Sequence, residues 1–411
     1  MRRFAVIFSL LVILAVLVVS VACHTNLSVD SEGSTSRIQW YKTLGGLNED
    51  VGFSVQQTSD GGYIVVGCTG STADLLFDVL VIKTDAEGNK QWDKTFDKSA
   101  EDYARSVQQT SDGGYIIAGY TTDNAGAAWY YWLIKIDAQG NKQWDKTFGG
   151  SGLDQALSVQ ETSDGGYIIC GSTSVNGDSD GWLIKTNSSG DKEWDKTFGG
   201  PNGDIFTSVQ QTSDGGYIIT GSTAPRGAGY DDLWLIKTNS TGNKQWDRTF
   251  GGSGEYYGKS VQQTADGGYI IAGQSIPGST SEGGGAWLIK TDNSGNEQWD
   301  NTFGSPGDGC GWSVKQTSDG GYAFAGSTGC YGAFNCRDVW LVKTNSGGEK
   351  QWEETFGGSG IDVGTSFEQT SDGGYIICGI TNSYGTGSID VLLIKVKSEA
   401  QAATPTPTAT P

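Results

Sequence analysis

Two stretches of one repeat decide the architecture: SVQQTSDGGYIIAG at residues 106–119 and WLIKIDAQGNKQWDKTF at residues 132–148. SVQQT (Ser106–Thr110) reads as a first strand. SDGG (Ser111–Gly114) is a hairpin turn, because Asp-Gly supplies the positive φ that such turns require and the second Gly suits a bulge. YIIAG (Tyr115–Gly119) is apolar at consecutive positions, so both of its faces are expected to be covered. WLIK (Trp132–Lys135) is a third strand, DAQGN (Asp137–Asn141) a second turn and KQWDKTF (Lys142–Phe148) a fourth strand. The last mixes charge with Trp144 and Phe148, as suits an outer edge that must not pair with other chains.

Working outward, Asp-Gly-Gly-Tyr recurs seven times, beginning at Asp60, Asp112, Asp164, Asp214, Asp266, Asp319 and Asp372, with a mean interval of 52 residues. A fourth-strand tryptophan keeps the same period at Trp40, Trp92, Trp144, Trp194, Trp246, Trp299 and Trp352. A period near 50 with four short strands per copy specifies propeller blades. The first copy of the fourth strand, IQWYKTL (Ile38–Leu44), precedes every complete repeat, and the chain's last strand is a third strand, VLLIK (Val391–Lys395). The fold class is therefore an all-β, seven-bladed β-propeller of four-stranded antiparallel blades over residues 37–397, closed by the N-terminal strand completing the last blade.

Composition agrees and excludes several chemistries. The chain has 411 residues with 64 Gly, 14 Trp and 17 Tyr, which suits many short strands and tight turns rather than helices or disorder. Its net charge of −20 would repel phosphates and argues against a nucleic-acid partner. The single histidine, His24, lies in a terminal segment, so the repeats hold no imidazole for a Ser-His-Asp triad or a His-bound metal.

The amino end reads as an export signal over residues 1–22: Arg2 and Arg3 precede an apolar run from Phe4 to Val21. Ser20-Val21-Ala22 followed by Cys23 resembles the lipobox of bacterial lipoproteins, which implies lipidation of Cys23; plain cleavage or a retained anchor are the alternatives. Each places the remainder outside the cytoplasm. Residues 23–36 are expected to be a flexible tether and residues 398–411 a Pro/Thr-rich extended tail.

Alternation of strand direction places the SDGG and D-x-x-G-N turns on one rim of the ring. The second-to-third and fourth-to-first connections fall on the other rim, which carries nearly all the variation, and variable loops on a repeated scaffold are where recognition sits. Aromatics outside the repeat pattern are the ligand-binding candidates there: Trp129, Tyr130, Tyr131, Tyr230, Tyr256, Tyr257, Trp312, Tyr331 and Phe334, with Tyr384 beside them. The repeated Trp and Tyr are expected to pack blades instead. An acidic residue precedes each first strand: Asp50, Asp102, Asp154, Asp204, Asp308 and Asp362, with Glu255 in the fifth copy. Asp78, Asp180, Asp232, Asp338 and Asp390 open the third strands. Such a ring could hold Ca²⁺ through oxygen ligands, but capping of turns by each Asp is the favoured reading, and no cofactor is otherwise expected. Cys68, Cys170 and Cys378 read as small buried residues, and export permits a disulfide between Cys330 and Cys336, with Cys310 as an alternative partner. Lysines recurring in the third strand, Lys83 to Lys395, are expected to pair with nearby Asp, while Glu353-Glu354 reads as surface charge. The sequons at Asn187 and Asn239 are candidate glycan sites.

The unit DGGYIIAG…WLIKTD..GN..WDKTFGG resembles repeats of bacterial and archaeal surface proteins and is similar to PQQ-like propeller repeats, whose D..tG...W segment docks a Trp between blades. Asp137, Gly140, Asn141 and Trp144 match that segment. Quinoprotein dehydrogenases of this kind have eight blades and a vicinal disulfide; seven copies without adjacent cysteines carry the resemblance to the fold and not to the cofactor. The expected role is a non-catalytic, monomeric cell-surface propeller that binds a protein or glycan through one rim and meets the membrane only through its N-terminal anchor. The alternative is a propeller enzyme of the PQQ-like or polysaccharide-cleaving kind.

Overall fold

The computed structural model describes residues 37–70, 76–123, 126–175, 177–224, 230–276, 278, 284–304, 309–329 and 337–399. These form seven four-stranded antiparallel sheets, six of them ordered as in the chain from an inner to an outer strand. In the first blade the strands are Asp50–Gln57, Tyr63–Gly70, Phe77–Thr84 and Lys90–Phe96. The seventh blade takes three strands from the end of the chain (Asp362–Gln369, Tyr375–Thr381, Asp390–Val396) and its outer strand, Ile38–Leu44, from the beginning. That strand pairs antiparallel with the third, Leu44 opposite Val391 and Tyr41 opposite Ile394, so the expected closure is present.

Burial follows the strand order. Second and third strands are covered on both faces, whereas the outer strand Lys90–Phe96 alternates between exposed and half-buried positions. Apolar clusters lie between blades, as where Ile116, Leu133, Val159, Ile169 and Trp182 pack together from the second and third blades.

Each outer-strand Trp docks on the next blade. The rings of Trp92 and Tyr115 meet at 6.3 Å and those of Trp144 and Tyr167 at 5.9 Å. Trp40 and Tyr63 meet in the same way, at 6.0 Å, across the closing interface. The tryptophan edge also lies over the glycine of the neighbour's third-to-fourth-strand turn: a Cβ on Gly190, whose φ is 78°, would sit 2.6 Å from Trp144. This is the Trp docking that the repeat resemblance implies. In the last blade no such turn follows the third strand, Asp390–Val396, among the described residues. Glu399 there accepts the Trp352 indole N–H at 3.0 Å, and the Arg37 guanidinium covers the ring at 4.4 Å while pairing with Glu354 at 3.5 Å. Glu354 is thus part of the closing seam rather than plain surface charge. Glu353 accepts the Trp340 indole N–H at 3.1 Å, as Asp145 does from Trp132.

The recurring Lys and turn Asp pair in all seven copies, from Lys83–Asp60 at 2.9 Å to Lys395–Asp372 at 2.9 Å. The Lys83 side chain is only 4 % exposed, and its ammonium also donates to the Thr84 carbonyl and to Gln91. A buried cation is tolerable only with its donors satisfied in this way. Cys68, Cys170 and Cys378 are buried thiols, as expected. Asn187 and Asn239 use their side-chain oxygens to cap their own turns.

Candidate functional site

The channel is built from the seven inner strands, whose recurrent S-V-Q-Q solves an edge problem. An innermost strand has an open row of N–H groups. Here the Ser hydroxyl of one blade accepts the N–H of the residue just after the equivalent Ser on the next strand, as in Val107 to Ser54 at 3.3 Å and Val159 to Ser106 at 3.2 Å. The first Gln accepts the N–H of the second Gln on the next blade, as in Gln109 to Gln56 at 2.5 Å and Gln211 to Gln160 at 2.6 Å. The second Gln in turn accepts the preceding blade's turn N–H, as in Ser163 to Gln211 at 2.8 Å. The belt crosses the closing interface, where Gln57 donates to Glu368 at 2.8 Å and Val55 to Ser366 at 3.3 Å. The Ser, Val and Gln layers enclose a polar cavity of about 210 Å³ on the axis.

Just before each Ser, on the side of the variable rim, every inner strand has a bulge. The register slips between Gly52 and Ser54, Ala104 and Ser106, and at the same place in the other five blades. A bulge frees one residue from the pleat and re-aims its side chain. The seven residues so released are Phe53, Arg105, Leu157, Thr207, Lys259, Trp312 and Thr365, all half-buried. They reach the neighbouring inner strands: Thr207 donates to the Gly258 carbonyl and Thr365 to that of Gly52. In an otherwise repeated wall this ring varies: only Thr207 and Thr365 share a residue type and a bond. Of these seven only Trp312 is a candidate on the sequence alone, although the column before the inner-strand Ser varies from copy to copy.

The ring has two differently built sides. On one, the Arg105 guanidinium lies 4.0 Å from the Phe53 ring and donates to the Tyr120 hydroxyl at 3.1 Å. Tyr120 stacks on Tyr103 and on Trp129, with Trp129 only 7 % exposed. That side is closed by its own side chains. On the other, the Lys259 ammonium lies 4.9 Å from the Trp312 ring and 5.1 Å from that of Tyr257. The Tyr257 hydroxyl donates to Glu255 at 3.0 Å. Burial pushes the nearby Asp231 carboxyl up, and the charges of Glu255, Asp204 and Asp232 add to it. The Trp312 indole N–H is buried and meets no acceptor among the described residues. Aromatic faces, an ammonium and carboxylates within one mouth can bind a polar ligand that also offers apolar surface.

The aromatic candidates therefore divide. Trp129 and Tyr131 are not loop residues: their third strand spans Trp129–Ile136, earlier than WLIK suggests, and both are buried, Tyr131 stacking on Trp182. They pack the fold, which corrects the sequence expectation. Tyr130 is half-buried in the same strand. Tyr256 packs on Trp287. Tyr384 packs on Tyr41 and donates to the Gly357 carbonyl at 2.7 Å. Tyr257 and Trp312 flank the Lys259 ammonium at the channel mouth, and Tyr230 is exposed. Tyr331 and Phe334 lie outside the described residues, as do Asp308, Cys330 and Cys336; Cys310 opens a buried inner-strand end.

The acidic ring caps turns. Asp50, Asp102, Asp154, Asp204 and Asp362 are buried, and one oxygen of each accepts a backbone N–H four residues earlier: Gly46, Lys98, Gly150, Gly200 and Gly358. Several open the inner strand itself instead of preceding it. Third-strand carboxylates face them across the blade boundary, where a Cβ on Gly199 would meet both Asp180 and Asp204. Only at the Asp78–Asp102 boundary does a third carboxylate, Asp97, join them among the described residues.

The two acidic rims respond oppositely to pH. At the turn rim, partial burial raises each Asp, but hydrogen bonds from the nearby Thr and Lys outweigh it and bring Asp60, Asp112 and Asp164 to about 2. A folded-state value below the unfolded 3.8 means stability that is present above that value and drains as the pH falls toward 2. At the variable rim, burial raises Asp102, Asp204, Asp338 and Asp362, helped in the first three by a facing carboxylate. Raised groups stabilise when protonated, and that contribution is lost as the pH climbs through their folded values. Calorimetry is expected to show a higher Tm at about pH 5 than at about pH 8, with a steep fall below about pH 3.

No protein-family model and no curated protein matches the chain. Solved structures match it in fold. The Neurospora crassa Pan2 WD40 domain is similar over 89 % of this chain and 98 % of that one, with a TM-score of 0.51 and 9 % identity. BBS1N, solved in complex with ARL6DN, is similar over 88 % of this chain and 96 % of that one, with a TM-score of 0.50 and 10 % identity. At such identities the likeness is one of fold alone, and the chain shares with both the β-propeller architecture.

Proposed function

We propose that the chain is a non-catalytic surface propeller that binds a protein or glycan ligand on its variable rim, at the Lys259–Trp312 side of the channel mouth. The observation that carries this reading is the bulge ring: seven equivalent backbone positions present Phe, Arg, Leu, Thr, Lys, Trp and Thr. A purely structural position would repeat, as the Ser below it does in every blade. Export and tethering through Cys23 fit this role, and protein binding has a precedent of fold in BBS1N with ARL6DN. The binding needs no cofactor; Ca²⁺ enters the assay as an added arm because of the acidic rim.

The test is a glycan and peptide array probed with the purified protein, with and without Ca²⁺. Lys259→Met and Trp312→Ala are expected to weaken captured ligands about 30-fold, as central contacts do, while Glu87→Ala on the turn rim leaves them unchanged. Ligands indifferent to both mouth substitutions would contradict the reading. A polysaccharide-cleaving enzyme is the second reading, favoured by Asp231 and Glu255 sharing the Tyr257 hydroxyl, with Asp231 raised. Such a pair divides acid and base roles. Release of reducing ends from a polysaccharide panel, abolished by Asp231→Asn, would establish it.

A further inference from the structure

The opposite end of the channel carries a second irregularity. The first-Gln layer reads Gln56, Gln108, Gln160, Gln210 and Gln262, and then Lys315 and Glu368. All seven line the axial cavity. The next strand's N–H donates to each of the five Gln side-chain oxygens, at 2.5 Å for Gln56 and 2.6 Å for the others. That oxygen is the side chain's only acceptor, so the bond fixes which way the amide faces. The five NH₂ groups donate to no other protein group among the described residues and are left to the cavity. Lys315 breaks the pattern, because an ammonium has no acceptor to offer the Gln369 N–H. Glu368 keeps the pattern with one oxygen, which takes the Gln57 N–H at 2.8 Å, and so leaves its other oxygen available.

The layer therefore presents inward-facing amide donors, one ammonium and, on the adjacent blade, one carboxylate. Among the described residues these are the only charges in the cavity wall. They are not within ion-pair distance of each other, since the described ion pairs include neither. Two opposite charges held apart over a ring of donors complement a molecule carrying a carboxylate and an ammonium. The ring of donors takes the carboxylate beside Lys315, and Glu368 takes the ammonium. Net charge decides against a lone anion: the protein carries −20, which opposes a free carboxylate or phosphate but not a neutral zwitterion. At about 210 Å³ the cavity holds several waters or one small molecule in their place. We propose that the Lys315–Glu368 layer of the axial channel is a binding site for a small free α-amino acid. It is separate from the variable-rim mouth and does not depend on the ligand bound there.

The test is thermal shift with each common free amino acid, followed by titration calorimetry of the best with the purified protein at fixed ionic strength. Acetate and methylammonium serve as half-molecules. One amino acid is expected to bind per chain, at least about tenfold tighter than either half-molecule. Lys315→Gln and Glu368→Gln each insert the residue that the ring already uses, so both are expected to fold. Each is expected to weaken binding about tenfold or more. Lys315→Gln also supplies the missing acceptor and is expected to raise the ligand-free Tm by roughly 1–3 °C. Acetate binding as well as the amino acid, affinity unchanged in Lys315→Gln, or no amino acid binding at all would each overturn the assignment.

Discussion

Gly190→Val is expected to lower stability by about 2–6 kcal/mol, the sum of backbone strain and overpacking, each of about 1–3 kcal/mol. The glycine sits at φ 78°, where a β-branched residue is strained whatever surrounds it. Its Cβ would also lie 2.6 Å from the Trp144 ring and 3.0 Å from Lys146. The tryptophan is already fixed from the other side by Tyr167, with ring centres 5.9 Å apart, so it cannot retreat without opening the blade boundary. Gly113→Val separates the two costs. Its φ is 84°, but a Cβ there meets nothing within 4 Å, so only the strain of about 1–3 kcal/mol is expected. Denaturant titration of both variants checks the difference. Equal losses would mean that the docking of Trp144 contributes nothing to the junction.

Removing Ile38–Leu44 is expected to do more: the chain should fail to give a cooperatively folded monomer. The deletion uncovers the edge of Asp390–Val396, a strand buried throughout, and an apolar open edge is a template for aggregation. It also takes away Trp40, which caps Tyr63 and overlies Gly88, so the first blade loses its neighbour as well. The remedy follows from the register. Since Leu44 faces Val391 and Tyr41 faces Ile394, the strand runs as any outer strand after its third strand. A permuted chain with this segment moved behind Lys397 through a D-x-x-G-N turn is expected to recover the full melting transition. A truncated protein that melts within a few degrees of the intact one would contradict closure.

Much of the fold was legible because its determinants are local and repeated. Asp-Gly-Gly names a hairpin, consecutive apolar residues name a strand covered on both faces, and a stray outer strand at the beginning names its place at the end. Lys83 with Asp60 and Trp92 with Tyr115 were foreseeable as packing because they recur without exception. The mouth was less legible, for physical reasons. Within one copy a bulge before the Ser has no signature, and only the variation of that column across copies marks it, so Arg105 and Lys259 read as ordinary strand residues. Inner and third strands also begin earlier than their most regular segments. That moved Trp129 and Tyr131 out of the loops and into the packing, and moved Asp102 from a loop to the head of a strand. The Gln ring was hidden for another reason: a side chain that satisfies a neighbour's backbone across a junction leaves no trace in its own repeat.

The central claim is one closed ring that holds the mouth residues of different blades in fixed relation, and hydrogen exchange at its seam tests it most directly. The amides linking Ile38–Leu44 to Asp390–Val396 are expected to exchange only through global unfolding, as slowly as those between the second and third strands of the third and fourth blades. Exchange of the seam within seconds, while those blades stay protected, would show an open ring and contradict the account.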